Sequence, residues 1–345
     1  MKDEFDRMLE DFLCPLSQLE GRGLDSIYLL RKDGAFVFTE GYCHFFGGVY
    51  GKIIYYPLPG GGVDVFGREY GCVTKRKVNG EFQYVSHPEQ IELHGQIDPN
   101  LDPRAPRPVF VEYEMEFPLS DFIGYFDPHH SLEACSDRYA WIKRGAEAAS
   151  RVLEVPWERL GLTGSLAYGR YEEGDDDLDL VVRGSISDNL RVYRKIRRLS
   201  IIPERMVMEF GRWWPMRFYE GDVLICPFFI FANPEEAPLG DFQLKVIKED
   251  VPLEGVVEDD TYTVYMPPLL QLGEVKISGR KVPPLPLIIY DGALRGEYFQ
   301  GDILQMNARL VEVTTKKESY RAALVTLWDN IKKVGEMVNG NQKSE

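Results

Sequence analysis

Asp177 and Asp179 lie two residues apart in the run Asp177-Leu178-Asp179-Leu180-Val181-Val182, which reads as a strand. Side chains alternate faces along a strand, so both carboxylates point the same way, about 6.5–7 Å apart along the chain. Leu178 and Leu180 then point into a core. Two carboxylates brought to about 4 Å repel by roughly 4 kcal/mol at an effective dielectric near 20. A cation removes that cost, and oxygen donors of this kind suit Mg²⁺ or Mn²⁺.

Eleven residues separate the pair from Gly164-Ser165, which follows a short strand ending at Thr163. Where a strand turns into a helix, free backbone N–H groups and the positive helix end favour a phosphate. Gly164 leaves room for it, and the Ser165 hydroxyl adds a donor. A phosphate cradle beside metal-holding carboxylates is the equipment of phosphoryl or nucleotidyl transfer. The bland alternative is a chance turn before an acidic strand. Asp175 and Asp176 are either solvated loop residues or further ligands.

These residues need a frame. Ser136 or Asp137 caps a helix whose apolar positions, Tyr139, Ile142, Ala146, Ala149 and Val152, recur at helical spacing. Ser187-Asp188 caps another through Leu199. Met216–Tyr219 and Val223–Phe231 are hairpin arms about the turn Glu220-Gly221-Asp222. This order predicts a small mixed sheet with helices over residues 131–238, within an α+β chain.

Residues 1–130 read as a β-rich module with strands at Ser26–Arg31, Ala35–Thr39, Lys52–Tyr56 and Phe110–Phe117. Lys32-Asp33-Gly34 marks a hairpin, and Gly60-Gly61-Gly62 and the Pro99–Pro108 run mark loops. Residues 239–326 offer five strands with Gly-Asp turns, the pattern of an OB-like small barrel. Leu327–Val338 reads as a helix within a final segment 327–345.

A net charge of −15 argues against nucleic-acid binding by the whole surface. From Arg183 to Arg217, however, nine basic residues face three acidic ones, a local balance of +6. Arg191, Arg194, Lys195 and Arg198 form one stripe on the second helix. It is either a solvated face or a contact to nucleotide or polynucleotide, with Arg194 and Lys195 as the nucleotide-binding candidates. Trp213-Trp214 beside Arg212 and Arg217 either stacks a base or fills a core. His129-His130, adjacent, would point apart on a strand and carry no metal spacing. Five cysteines without CxxC spacing, and a charged start without an apolar signal core, predict a reducing cytoplasm and no export. No run of about 18–20 apolar residues predicts a membrane span.

The run Gly164-Ser165…Asp177-Leu178-Asp179 resembles the signature of the DNA polymerase β-type nucleotidyltransferase superfamily. The wider chain resembles an uncharacterised prokaryotic family of predicted nucleotidyltransferases within it, specifically over about 134–231 and loosely in the flanks, including Gly301-Asp302. The resemblance implies that Gly164 and Ser165 hold an NTP and that Asp177 and Asp179 bind Mg²⁺ or Mn²⁺. It also implies a third catalytic carboxylate on a neighbouring strand. Val223–Phe231 contains no acid, which leaves Asp222 first, then Glu220 and Glu209. The expected function is transfer of NMP to a hydroxyl of RNA, protein or a small molecule. The alternative is a nucleic-acid-binding or regulatory protein with a degenerate transferase domain.

Overall fold

The computed structural model describes residues 2–19, 24–78, 81–171, 177–209 and 212–337. Its first part is an antiparallel sheet in the order Leu13–Cys14, Phe122–Phe126, Ile27–Arg31, Phe36–Thr39, Gly48–Pro57, Arg68–Cys72, Val63–Val65. Alternation splits Ile27–Arg31 between two cores. Ile27 and Leu29 join Val37 and Ile53, while Tyr28 and Leu30 join Phe36, Phe126 and Tyr168. The second face therefore docks on the central unit. One buried core accordingly takes in Phe5, Phe36, Leu180 and Tyr265, running across the sequence boundary at residue 130.

Several expectations change here. Helices Glu4–Phe12 and His87–Ile97 are additional, and the strand expected at Phe110–Phe117 shortens to Met115–Pro118. The single helix expected from Ser136 or Asp137 is two, Pro128–Arg138 and α1 (Ala140–Leu153). The Asp127 carboxylate accepts from the N–H groups of His129 and His130, and Pro128 sits at the first helical position, so helix begins earlier. His129 and His130 are thus in a helical turn, not on a strand.

The central sheet has five strands: β1 (Leu160–Leu162), β2 (Leu178–Gly184), β3 (Met206–Glu209), β4 (Arg212–Glu220) and β5 (Val223–Phe231). Their order is β1-β2-β5-β4-β3, with β2 and β5 parallel and the other pairs antiparallel. Between β2 and β3 runs α2 (Ile186–Ser200), capped by the Ser185 hydroxyl. Leu178, Leu180 and Val182 are fully buried in the core that contains Ile142, Ala146, Ala149, Val192, Tyr193 and Ile196 of α1 and α2. Each such buried side chain contributes roughly 1.5–3 kcal/mol. That burial fixes which way β2 faces, and so turns Asp177 and Asp179 away from both helices.

The last part pairs β6 (Phe242–Tyr262), β7 (Leu269–Ile277), β8 (Leu285–Ile289), β9 (Asp302–Thr315) and β10 (Ser319–Val325) in the circuit β6-β7-β8-β10-β9-β6. The helix expected over Leu327–Val338 is instead a 3₁₀ turn, Trp328–Asn330, and a strand, β11 (Ile331–Glu336), paired with β9. Ile331 is buried there and Lys333 Nζ meets the buried Asp302 at 2.8 Å, contacts that favour the edge of β9 over a free helix. Val338 lies outside the described residues. No described helix is long and apolar enough to cross a membrane.

Candidate metal and nucleotide site

Thr163 closes β1 and ties three segments together. Its N–H donates to Asp179 O (3.0 Å), and its hydroxyl donates to Ser26 O in the N-terminal sheet (2.8 Å). The Ser26 hydroxyl in turn accepts from Arg295 Nη1 (2.9 Å), whose guanidinium lies over Phe228 of β5 at 5.3 Å and bonds Glu40 Oε1 at 2.9 Å.

Gly164 follows with φ +64°, and a Cβ built there would stand 2.0 Å from Asp179 Oδ2. Glycine is required twice over, for the left-handed backbone and for the approach of the carboxylate. The expected strand-to-helix turn is a 3₁₀ segment of five residues, Gly164–Tyr168, ending at Gly169 with φ +75°. A segment this short carries little helix dipole. It is anchored from below: Ser131 Oγ donates to Ala167 O (2.5 Å), and Leu166, Ala167 and Tyr168 are buried.

Across the strands, Asp179 stands in register with Cys226 and Leu180 with Pro227. Ligating atoms of Asp177, Asp179 and Cys226 all lie within 4.8 Å of one another. The Cys226 thiol donates to Asp177 Oδ2 at 2.9 Å. Burial first, then the Asp177 charge, push that thiol well above its ordinary pKa.

Arg217 adjoins the Phe218–Ile225 pair on β4, which brings it beside Cys226. Burial acts to lower its pKa, but Cys226, Asp177, Asp179 and Glu209 together leave it raised. The repulsion between the two aspartates is therefore met partly within the protein, before any metal. Glu209 Oε2 bonds Arg217 Nη1 at 2.9 Å, and the guanidinia of Arg212 and Arg217 lie over the Trp214 ring at 3.8 and 4.7 Å. The indoles are held by their own N–H groups, Trp213 to Ser200 O and Trp214 to Glu209 O.

The other candidates fall elsewhere. Asp222 is exposed at the tip of the hairpin, four residues before Cys226 and so about 13 Å away along the strand. Glu220 Oε2 pairs with Arg205 at 2.9 Å. Among the described residues, the side chain that completes a three-ligand group with the aspartate pair is Cys226, not Asp222, Glu220 or Glu209. Arg194 is exposed on α2, and Lys195 bonds Glu154 at 2.5 Å. Because α2 covers the Leu178–Leu180 face of the sheet, both lie on the side away from the carboxylates. Asp175 and Asp176 lie outside the described residues.

Cys226 and Arg217 are the members of the site that sequence reasoning did not assemble. The available signal was alternation: Cys226 shares a face with Asp222 and is the one thiol in an otherwise apolar strand.

Compared with family models, curated proteins and solved structures, the chain gives no match.

Proposed function

We propose that the Gly164–Ser165 turn and the Asp177–Asp179 edge bind a divalent metal, Mg²⁺ or Mn²⁺, together with the triphosphate of a nucleotide. The reaction they serve is transfer of NMP from an NTP to an acceptor hydroxyl, with pyrophosphate leaving. The observation that carries this reading is the contact of Gly164 with Asp179, 2.0 Å from the carboxylate oxygen to a built Cβ. A phosphate on the turn and an ion on the carboxylates would be close enough to share oxygens. The resemblance to polymerase β-type nucleotidyltransferases supports the same assignment.

In this reading the turn's N–H groups orient the triphosphate and the two aspartates hold the ion. The ion, when bound, neutralises phosphate charge and makes a hydroxyl a better nucleophile. Arg217 balances the carboxylates from the β4 side. The circuit β6-β7-β8-β10-β9, with β8 and β10 parallel, is read as an OB-like barrel, a fold whose surfaces suit oligonucleotides. RNA is accordingly one acceptor to test, beside protein and small-molecule hydroxyls.

Cys226 favours a second reading, in which nucleotide binding persists and transfer is lost. It occupies the place next to the pair where the resemblance implies a third carboxylate, and a protonated thiol takes no proton from an attacking hydroxyl. Incubation of the chain and its Cys226→Asp variant with labelled NTPs, Mg²⁺ or Mn²⁺, and RNA separates the two. Label transferred by the parent supports transfer. Metal-dependent binding without transfer, with activity appearing only in Cys226→Asp, supports the binding protein.

A further inference from the structure

The donor set of this site is mixed, which is unusual equipment for holding Mg²⁺. Two carboxylates come from β2 and one thiol from β5, on strands locked in parallel register by the Asp179–Cys226 pairing. The three ligating atoms lie within 4.8 Å of one another, and Cys226 Sγ is 2.9 Å from Asp177 Oδ2. Zinc is held by Cys sulfur at about 2.3 Å and carboxylate oxygen at about 2.0–2.2 Å, so donors around a tetrahedral zinc stand about 3.3–3.7 Å apart. Small side-chain adjustments bring the present group to that spacing.

Magnesium dehydrates reluctantly and takes oxygen ligands at near-octahedral angles, whereas sulfur donors select softer ions. Gly164, without a side chain, lets the Asp179 carboxylate press against the turn, its Oδ2 2.0 Å from where a Cβ would stand. The three donors together leave the fourth corner of a tetrahedral ion to a non-protein ligand. Three protein ligands with a fourth place for water or substrate is the pattern of a zinc site that works on bound molecules.

We propose that Asp177, Asp179 and Cys226 together bind a thiophilic divalent ion, Zn²⁺ or Co²⁺, in preference to Mg²⁺. The metal–sulfur bond forms as the thiol proton leaves to solvent, and no electrons are transferred. The fourth position takes water or a phosphate oxygen from the nucleotide. This rests on the reading of the aspartate pair as a metal site and changes which ion that site selects.

The test is titration of the full chain with Co²⁺, then Zn²⁺, after removal of metals with a chelator. The expected result is a thiolate-to-cobalt charge-transfer band in the near ultraviolet that Zn²⁺ abolishes and excess Mg²⁺ does not. Cys226→Ser should remove the band and weaken Zn²⁺ binding at least about tenfold. The four other cysteines remain in that variant, so loss of the band assigns the sulfur. If Cys226→Ser proves unfolded by circular dichroism, the parent decides through calorimetric competition, with Zn²⁺ bound at least about tenfold more tightly than Mg²⁺. Cobalt bound without the band, or Mg²⁺ bound as tightly as Zn²⁺, overturns the inference while leaving a metal site at the aspartates. No binding of any of these ions overturns both.

Discussion

Asp179 and Cys226 face each other across parallel strands, and the Cys226 thiol donates to the other aspartate, Asp177, at 2.9 Å. The carboxylates are thereby held by a neighbouring strand as well as by their own. Arg217 extends the row, so acid, thiol and guanidinium lie side by side across β2, β5 and β4. The pair is preorganised, so in the proposed reading an ion would meet side chains already held in place.

Gly164 is the position least tolerant of change. A left-handed L-residue costs roughly 1–2 kcal/mol, and a Cβ at 2.0 Å from Asp179 Oδ2 must also displace that carboxylate. Gly164→Ala is expected to lower the urea midpoint by the equivalent of about 1–3 kcal/mol and to weaken NTP binding at least about tenfold. Ser165→Ala should lose only about 0.5–1.5 kcal/mol of NTP affinity. Equal effects of the two substitutions in equilibrium binding would count against the turn as the phosphate cradle.

Arg217→Met leaves the two aspartates without their nearby guanidinium. Metal-free thermal stability is expected to fall, by about 1–3 kcal/mol for the loss of a partly buried, ion-paired side chain. Added Mg²⁺ or Zn²⁺ should restore more stability in this variant than in the parent. Melting curves with and without metal check this, and equal metal-induced shifts in both proteins would contradict it.

Much of this site was legible because it is local. Strand alternation alone puts Asp177 and Asp179 on one face, and Gly164-Ser165 is a turn by composition. The hairpin and the burial of Leu178 and Leu180 follow from the same pattern. Cys226 and Arg217 were not legible, because their place depends on the register between strands far apart in the chain. Arg194 and Lys195 form a continuous basic stripe in sequence, yet which sheet face α2 covers is decided by the crossover from β2 to β5. Leu327–Val338 reads as a helix in sequence, and only pairing with the edge of β9 makes Ile331–Glu336 a strand.

The surface candidates provide a contrasting set. Arg194→Ala, Lys195→Ala and Asp222→Asn are each expected to change NTP affinity and any transfer rate by less than about twofold, as exposed changes away from a site do. A loss of about 10²–10⁴ in transfer with Asp222→Asn would restore it as the general base.

Stability should peak in mildly acidic solution. Burial raises Glu114 to about 8, above its ordinary 4.5. Its contribution is therefore complete below about pH 4.5 and is lost as pH rises through about 8. His44 and His94 accept the N–H groups of Tyr50 and Ile53, and burial lowers both to about 4 from 6.5. Their contribution is present above about pH 6.5 and is lost as pH falls toward about 4. Urea midpoints measured near pH 5, 7 and 9 should fall on the alkaline side in the parent and stay flatter in Glu114→Gln.

Equilibrium dialysis of labelled ATP against the chain, with Mn²⁺, Zn²⁺ or a chelator, tests the central claim most directly. The account predicts binding that requires a divalent ion and that weakens at least about tenfold in Asp179→Asn while the variant remains folded. Binding unchanged by the chelator, or equal in parent and Asp179→Asn, would contradict it.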